Sequence, residues 1–228
     1  MSAPDGNLRA NARVALIALT ASTASLDVTA FLRLGGVFAS VMTSNLVFVG
    51  IAVVKTEAAL GTRCAVAILS YVVGVGVGSA IAEPSGDENR LGTRPLSLLL
   101  TGELALLVGY TIWWMAVGGH PEGWTQIVLL GVIACAMGGQ SAATRQLGNP
   151  TASTTYLTGT LTSVVSSVAA RRRPDPEAVA VILALVAGAA AGVGLLDAAP
   201  ITAPLLALAG VGTTVALSWR IAAVAPTP

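Results

Sequence analysis

The sequence predicts an all-α protein, a polytopic transmembrane helical bundle, and its composition and spacing of charges lead to that prediction. Only 10% of the 228 residues are charged while 54% are hydrophobic, and the mean hydropathy is +0.80. An ordinary soluble domain has about 25% charged residues. Seven uncharged stretches reach at least 18 residues, and about 20 apolar residues cross a bilayer as a helix. A soluble enzyme and a disordered chain are therefore excluded. The net charge of +1 also leaves no basic surface for nucleic acid.

Four predicted helices make up the first part of the chain. The first begins near Arg9 and Arg13. Between Arg13 and Arg33, Asp27 is its only charged residue. Gly35-Gly36 separates the first helix from the second, Lys55 to Arg63 separates the second from the third, and Pro95 opens the fourth. The predicted spans are 13–33, 36–54, 64–83 and 96–117. The N-terminal stretch also imitates a secretory signal, but its apolar character resumes past Asp27, which favours a helix that is kept.

Four more helices follow after the turn at His120-Pro121. Their boundaries carry Gly, Pro and Asn, which interrupt helices. The predicted spans are 124–144, 151–170, 177–196 and 202–222. Strands of a membrane barrel are excluded, because these Ala- and Leu-rich runs are too long and too continuous for alternating barrel strands.

The order of matching residues predicts an internal repeat, which would divide one membrane domain into halves 1–118 and 119–228. Leu34-Gly35 lies 113 positions before Leu147-Gly148, and the pattern around Thr43 and Asn45 returns 115 positions later around Thr158 and Thr160. The order of the matches is kept along the chain, which indicates duplication. If each half crosses the membrane an odd number of times, the halves insert upside down relative to each other, as in many transporters.

The number of crossings stays open between six full spans with two broken or re-entrant helices and eight spans. Lys and Arg near span ends favour the cytoplasmic side. Eight spans place eight basic residues on one side and four on the other; two returning helices, the second and the sixth, give nine against three. Both alternatives predict that the N- and C-termini are cytoplasmic.

The sixth predicted helix is unusually rich in hydroxyls, since ten of the seventeen residues in 151–167 are Ser or Thr. These hydroxyls either pack small-residue helix surfaces or line a wet cavity, with an unwound stretch at 158–160. Clustered polar residues around Thr43 and Asn45 occupy the matching place in the first half. Paired polar segments in two halves are the best sequence indication of a midplane site.

Asp27 and Glu103 are carboxylates inside apolar helices, where a charge costs about 2.5–3.5 kcal/mol on insertion scales. Each is interpreted either as a group that couples transport to a cation or as a structural polar contact. Gln140 stands where the first half has Asp27, at the offset of 113. An asymmetric site of this kind suits a polar or cationic solute better than an anion.

The sequence thus favours a small-solute transporter or permease, and a structural or partner-binding membrane protein is the alternative. No catalytic residue, metal site or cofactor is predicted: Cys64 and Cys135 are interpreted as packing residues, and no nucleophile motif is present. The expected partners are the lipid bilayer and an unidentified small polar or cationic solute, with no nucleic acid; a homo-oligomer is compatible with the small-residue helix faces. The candidate solute-binding residues are Asp27, Thr43, Asn45, Gln140, Thr158 and Thr160, and the candidate coupling residues are Asp27 and Glu103.

Over nearly its whole length the chain resembles the YoaK-like family of uncharacterised bacterial multi-spanning proteins, which carry a domain of unknown function. The matching stretches are 26–38, Met42-Thr43-Ser44-Asn45, Gly139-Gln140-Ser141-Ala142 and 158–162. The family usually has Gly where Ser44 stands and Asn where Ser141 stands. The resemblance implies an integral inner-membrane protein and supplies no substrate.

Overall fold

The computed structural model describes residues 3–82, 93–145, 157–170 and 173–224, and every regular element in these ranges is helical. A single 3₁₀ turn, Pro200–Thr202, precedes the last helix. The α-helices are α1 (Ala3–Arg33), α2 (Met42–Lys55), α3 (Ala58–Ala82), α4 (Thr93–Ala116), α5 (Trp124–Arg145), α6 (Leu157–Ala169), α7 (Pro176–Ala198) and α8 (Pro204–Val224). The predicted all-α class is therefore confirmed.

Six of the helices in the described ranges are long and apolar enough to cross a membrane, namely α1, α3, α4, α5, α7 and α8. Helix α2 has 14 residues and so rises about 21 Å, which is less than the roughly 30 Å of hydrocarbon in a bilayer. The described part of α6 is similarly short, at 13 residues. These lengths fit six full spans with two short helices.

Close packing at glycines shows the relative directions of four of the long helices. A Cβ atom on Gly74 of α3 would overlap the carbonyl oxygen of Cys135 in α5, and one on Gly188 of α7 would overlap that of Ala21 in α1. One turn later, Gly78 faces Gly139 and Gly192 faces Ser25. Residue numbers rise together in both pairs, so α3 runs parallel to α5 and α1 runs parallel to α7.

Of the remaining long helices, α8 runs antiparallel to α1, and α4 runs antiparallel to α8. Gly210 of α8 packs on Ala18 and Ser22 of α1, while Thr214, one turn later in α8, reaches back to Ala15. The indole N–H of Trp219, near the end of α8, donates to the hydroxyl of Thr101, near the beginning of α4. Helices α1, α4 and α7 therefore run in one direction, and α3, α5 and α8 run in the other.

The two ends of the bundle are named here after two arginines. At the Arg13 end, the beginnings of α1 and α7 are joined by an ion pair between Arg13 and Glu177 at 3.1 Å. At the Arg33 end, the side-chain amide of Gln126, near the start of α5, donates to the backbone oxygen of Arg33 at 3.0 Å. Arg63, near the start of α3, donates to Oε1 of Gln126 at 3.4 Å.

Helix α2 does not cross the bundle, because it lies between two helix ends on the same side. Helix α1 finishes at the Arg33 end and α3 begins there, with Arg63 packed against Gly35. By the same reasoning α6 lies between the finish of α5 and the beginning of α7, both at the Arg13 end. The two short helices therefore belong to opposite ends of the bundle.

These directions are the ones that an inverted repeat of three crossings per half requires. The close approaches follow the same pattern: Gly188 stands 114 positions after Gly74, and Cys135 stands 114 positions after Ala21. The spacing falls between the sequence offsets of 113 and 115. The directions and spacings are compatible with two inverted halves, and the repeat itself stays a prediction.

Three local expectations are wrong. The second helix was predicted from residue 36, but it begins at Met42, because Gly35 and Gly36 adopt φ values of 105° and 80° and the chain continues without helix to Val41. The stretch 158–160, expected to be unwound, belongs to α6. Trp114 stands near the end of the fourth predicted helix, where a tryptophan is expected at the membrane interface, but it is fully buried and donates to the backbone oxygen of Pro200 at 2.8 Å.

Candidate functional site

The non-helical segment 34–41 is anchored by a buried carboxylate of α1. Oδ1 of Asp27 accepts hydrogen bonds from the backbone N–H groups of Ala39 and Ser40, at 2.9 and 2.8 Å. Oδ2 of Asp27 accepts a third from the Ser40 hydroxyl at 2.5 Å. Asp27 lies six residues before Arg33, about 9 Å along the helix, so the segment turns inward from the Arg33 end to that depth.

Asn45, in the first turns of α2, holds the same segment from the other side. Its side-chain Oδ1 accepts from the backbone N–H of Phe38 at 3.0 Å, and its Nδ2 donates to the backbone oxygen of Phe38 at 2.7 Å. Both side chains are buried, and no Asp27 or Asn45 oxygen lacks a donor. Asp27, Phe38, Ser40 and Asn45 are called the loop clamp.

A second polar cluster, the interior triad, consists of Thr23 of α1, Glu103 of α4 and Gln140 of α5. The Gln140 amide nitrogen donates to Oε1 of Glu103 at 2.7 Å. Its amide oxygen accepts from the Thr23 hydroxyl at 2.9 Å. All three side chains are at most 3% exposed. The triad thus joins one helix of the second predicted half to two helices of the first.

The triad leaves one polar atom without a partner. Oε2 of Glu103 is buried and, among the described residues, has no donor or acceptor within hydrogen-bonding distance. Tyr110, seven residues later on α4, likewise has a buried hydroxyl without a partner. An unsatisfied buried polar group costs about 1–3 kcal/mol, and such groups in native proteins often mark bound water, ions or functional sites.

The structure brings some of the predicted site residues together and leaves others apart. Asp27 and Asn45 meet through the segment between them, and Gln140 meets Glu103. Thr43 and Thr158 are exposed side chains, and no described hydrogen bond connects either to the clamp or the triad. Thr160 is buried. The involvement of Thr43, Thr158 and Thr160 in solute binding stays a prediction.

The sequence reasoning missed Thr23 and Tyr110. A signal for Thr23 was present, because six of the ten residues in 20–29 are polar and all six are buried. Several of these hydroxyls bond to their own helix, as Thr20 does to Leu16 and Thr29 to Ser25.

By contrast, the hydroxyl-rich α6 exposes most of its Ser and Thr side chains in the described range 158–170.

The described residues offer no obvious metal centre, since no three His, Cys, Asp or Glu side chains among them are grouped to hold an ion. Cys64 and Cys135 are free thiols. Among the described residues, the interior therefore offers hydrogen bonding and two buried carboxyl groups, Asp27 and Glu103, of which only Glu103 keeps an oxygen without a partner.

Comparison with known proteins places the chain among membrane proteins. The model of a family described as "Protein of unknown function (DUF1275)" matches residues 15–218. The chain is 28% identical over 161 residues to the UPF0700 transmembrane protein YoaK of Bacillus subtilis (strain 168), covering 71% of this chain and 68% of that protein. No solved structure matches the chain. The likeness to a transmembrane protein and the six long apolar helices together establish a multi-pass membrane protein.

Proposed function

From the premise that the chain belongs to the DUF1275 family of proteins of unknown function, we propose that it is a small-solute transporter or permease. Its polar site lies between the two predicted halves and is centred on the interior triad. The single observation that carries the proposal is the buried contact of Gln140 with Glu103 and Thr23. Polar residues deep in membrane helices are costly and usually functional.

The arrangement of the helices supports alternating access. Three crossings per half, opposite directions and short helices at opposite ends resemble the inverted-repeat transporters, in which one half rocks against the other around a midplane site. Thr23 and Glu103 belong to the first predicted half and Gln140 to the second. Rocking of the halves would therefore open and close the contact that defines the site.

We place the protein in the bacterial cell membrane with both termini in the cytoplasm. Helix α1 begins and α8 finishes at the Arg13 end of the bundle. With two returning helices, the sequence has nine basic residues on the side of the termini and three on the other. That excess favours the cytoplasm for the Arg13 end.

A structural or partner-binding protein is the second candidate, and the loop clamp favours it for Asp27 and Asn45. Every oxygen of these two side chains is bonded within the protein. Such a clamp needs no solute to explain its presence. The two candidates differ in the triad, which a purely structural protein would keep away from water in all conformations.

Accessibility of the triad to water separates the candidates. In the full chain with Cys64→Ala and Cys135→Ala, Thr23→Cys is treated in proteoliposomes with a membrane-impermeant thiol reagent. A transporter exposes this thiol to one side of the membrane, so we expect labelling. Leu69→Cys, whose native side chain is 65% exposed on the apolar outer surface, is the matched control and stays unlabelled. A folded protein in which Thr23→Cys is as inert as Leu69→Cys contradicts the transporter and supports the structural candidate.

A further inference from the structure

Glu103 has no basic hydrogen-bond partner among the described residues. Helix α4 packs mainly on α5 and α8. The basic residues of these two helices, Arg145 and Arg220, stand near their C-terminal ends, and 124–144 and 204–219 contain no Asp, Glu, Lys, Arg or His. On α3 the basic residue is Arg63, which is bonded to Gln126 at the Arg33 end, and the titratable Asp27 on α1 is held in the loop clamp. The described residues therefore give the Glu103 carboxyl group no cation to pair with.

Two unpartnered polar groups on one face of α4 also select the kind of cation. Oε2 of Glu103 and the hydroxyl of Tyr110 are both free of partners among the described residues, and they lie about two turns apart on α4. A metal ion such as Ca²⁺ needs six to eight oxygen ligands, more than these residues supply. An ammonium group has three N–H donors and no acceptor, which matches a carboxylate with an unused oxygen.

The apolar surroundings match the rest of such a molecule. Leu107, Ile133 and Met137 are buried in the core cluster shared by α4 and α5. The rings of Tyr110 and Trp114 lie together, with centroids 5.8 Å apart, and aromatic faces attract cations. A short alkyl chain with an ammonium head combines a positive charge, which suits the carboxyl group, with an apolar body, which suits these apolar side chains.

We propose that the solute is a small organic amine, bound as its ammonium ion to the Glu103 carboxylate. This inference rests on the proposed transport function and specifies its substrate class. Without a cationic partner Glu103 is neutral, because a buried charge without a partner is costly. When the ammonium ion binds, the carboxyl O–H bond breaks and its proton leaves to water. The carboxylate and the ammonium then form a pair, and total charge is conserved.

Binding of n-butylammonium to the full chain in lipid nanodiscs tests the proposal, with empty nanodiscs as the blank. Calorimetry in two buffers of different ionisation enthalpy measures the heat and the protons released. We expect saturable binding with one proton released per amine. Butan-1-ol and butyrate, which lack the ammonium group, should bind at least about tenfold more weakly, as expected for the loss of a charged hydrogen bond worth about 1.5–3 kcal/mol.

Two variants and a control locate the site. Glu103→Gln keeps the shape and the bond from Gln140, and should abolish both binding and proton release. Tyr110→Phe removes only the hydroxyl and should weaken binding about fivefold, corresponding to one neutral hydrogen bond of about 1 kcal/mol. The matched control is Glu122→Gln, an exposed carboxylate in the turn before α5, which should bind like the unmodified protein.

Several results would overturn the proposal. They are wild-type binding by Glu103→Gln, binding without proton release, and binding of the alcohol as tight as that of the amine. If the amine fails to bind while Thr23→Cys is labelled from water, the amine assignment is wrong and the transport function stands. If the amine fails to bind and Thr23→Cys is inert, both proposals fall.

Discussion

The loop clamp and the interior triad are both buried, polar and tied to α1, yet their hydrogen bonding differs. In the clamp, Asp27 uses both oxygens to hold the backbone of Ala39 and Ser40. In the triad, Glu103 accepts one bond from Gln140 and leaves its second oxygen without a partner. A satisfied carboxylate contributes to a fixed structure, whereas an unsatisfied one in an apolar interior needs a proton or a ligand.

This difference in hydrogen bonding assigns Asp27 and Glu103 different roles, although the two residues look alike in the sequence. Asp27 and Glu103 each interrupt an apolar helix with one acidic residue. The partner of Asp27 is the nearby segment 34–41, which is not helical after its two glycines, so its free N–H groups need an acceptor. Glu103 sits among side chains of complete helices whose N–H groups are already bonded. The loop clamp therefore belongs to the fold, and the triad is the better candidate for function.

The largest expected effect comes from removing the clamp. Asp27→Ala leaves the buried N–H groups of Ala39 and Ser40 without acceptors, at about 1–3 kcal/mol each. We expect the free energy of unfolding in mixed detergent micelles to fall by about 3 kcal/mol or more. Asp27→Asn keeps an acceptor oxygen for both N–H groups and should lose much less. Equal stability of the alanine variant and the unmodified protein would show that the clamp does not hold the segment.

Substitution of a closely packed glycine measures a loss of stability that involves neither the loop clamp nor the interior triad. Gly74→Ala places a methyl group against the carbonyl oxygen of Cys135, and α3 must move away from α5. Overpacking of this kind costs about 1–3 kcal/mol. The matched control is Gly76→Ala on the same helix, where a Cβ atom meets nothing within 4 Å. Thermal unfolding should separate the two variants, and coincident melting curves would argue against the close packing of α3 on α5.

Much of the fold follows from the sequence, because long apolar runs and turn residues determine where helices cross. The beginning of α2 does not, since it depends on whether Asp27 captures backbone groups twelve and thirteen residues away. The triad was predictable only in part: Gln140 and Glu103 stand out as polar residues in apolar helices. Their contact depends on the register of α5 against α4, which no local pattern specifies, and Thr23 joins them through the packing of α1.

Replacement of Glu103 tests whether the interior triad, unlike the loop clamp, is needed for solute uptake and not for stability. Glu103→Gln still accepts from Gln140 and loses no satisfied hydrogen bond, so the free energy of unfolding should change by less than about 1 kcal/mol. Uptake of solute into proteoliposomes should nevertheless be lost. The pair of measurements contrasts with Asp27→Ala, which should lose stability first. A strong destabilisation by Glu103→Gln would assign the triad the same structural role as the clamp.

The smallest effects are expected on the surface of the short helices. Thr43 and Thr158 are exposed, and surface substitutions usually change stability by less than about 0.5 kcal/mol. Thr43→Val and Thr158→Val should therefore leave unfolding unchanged, and with the solute path at Glu103 they should also leave uptake unchanged. Uptake that falls with Thr158→Val at unchanged stability would move the path toward α6 and away from the triad. Because α6 belongs to the Arg13 end and Glu103 to the interior of α4, that single result would distinguish a mouth at the membrane surface from a site within the bundle.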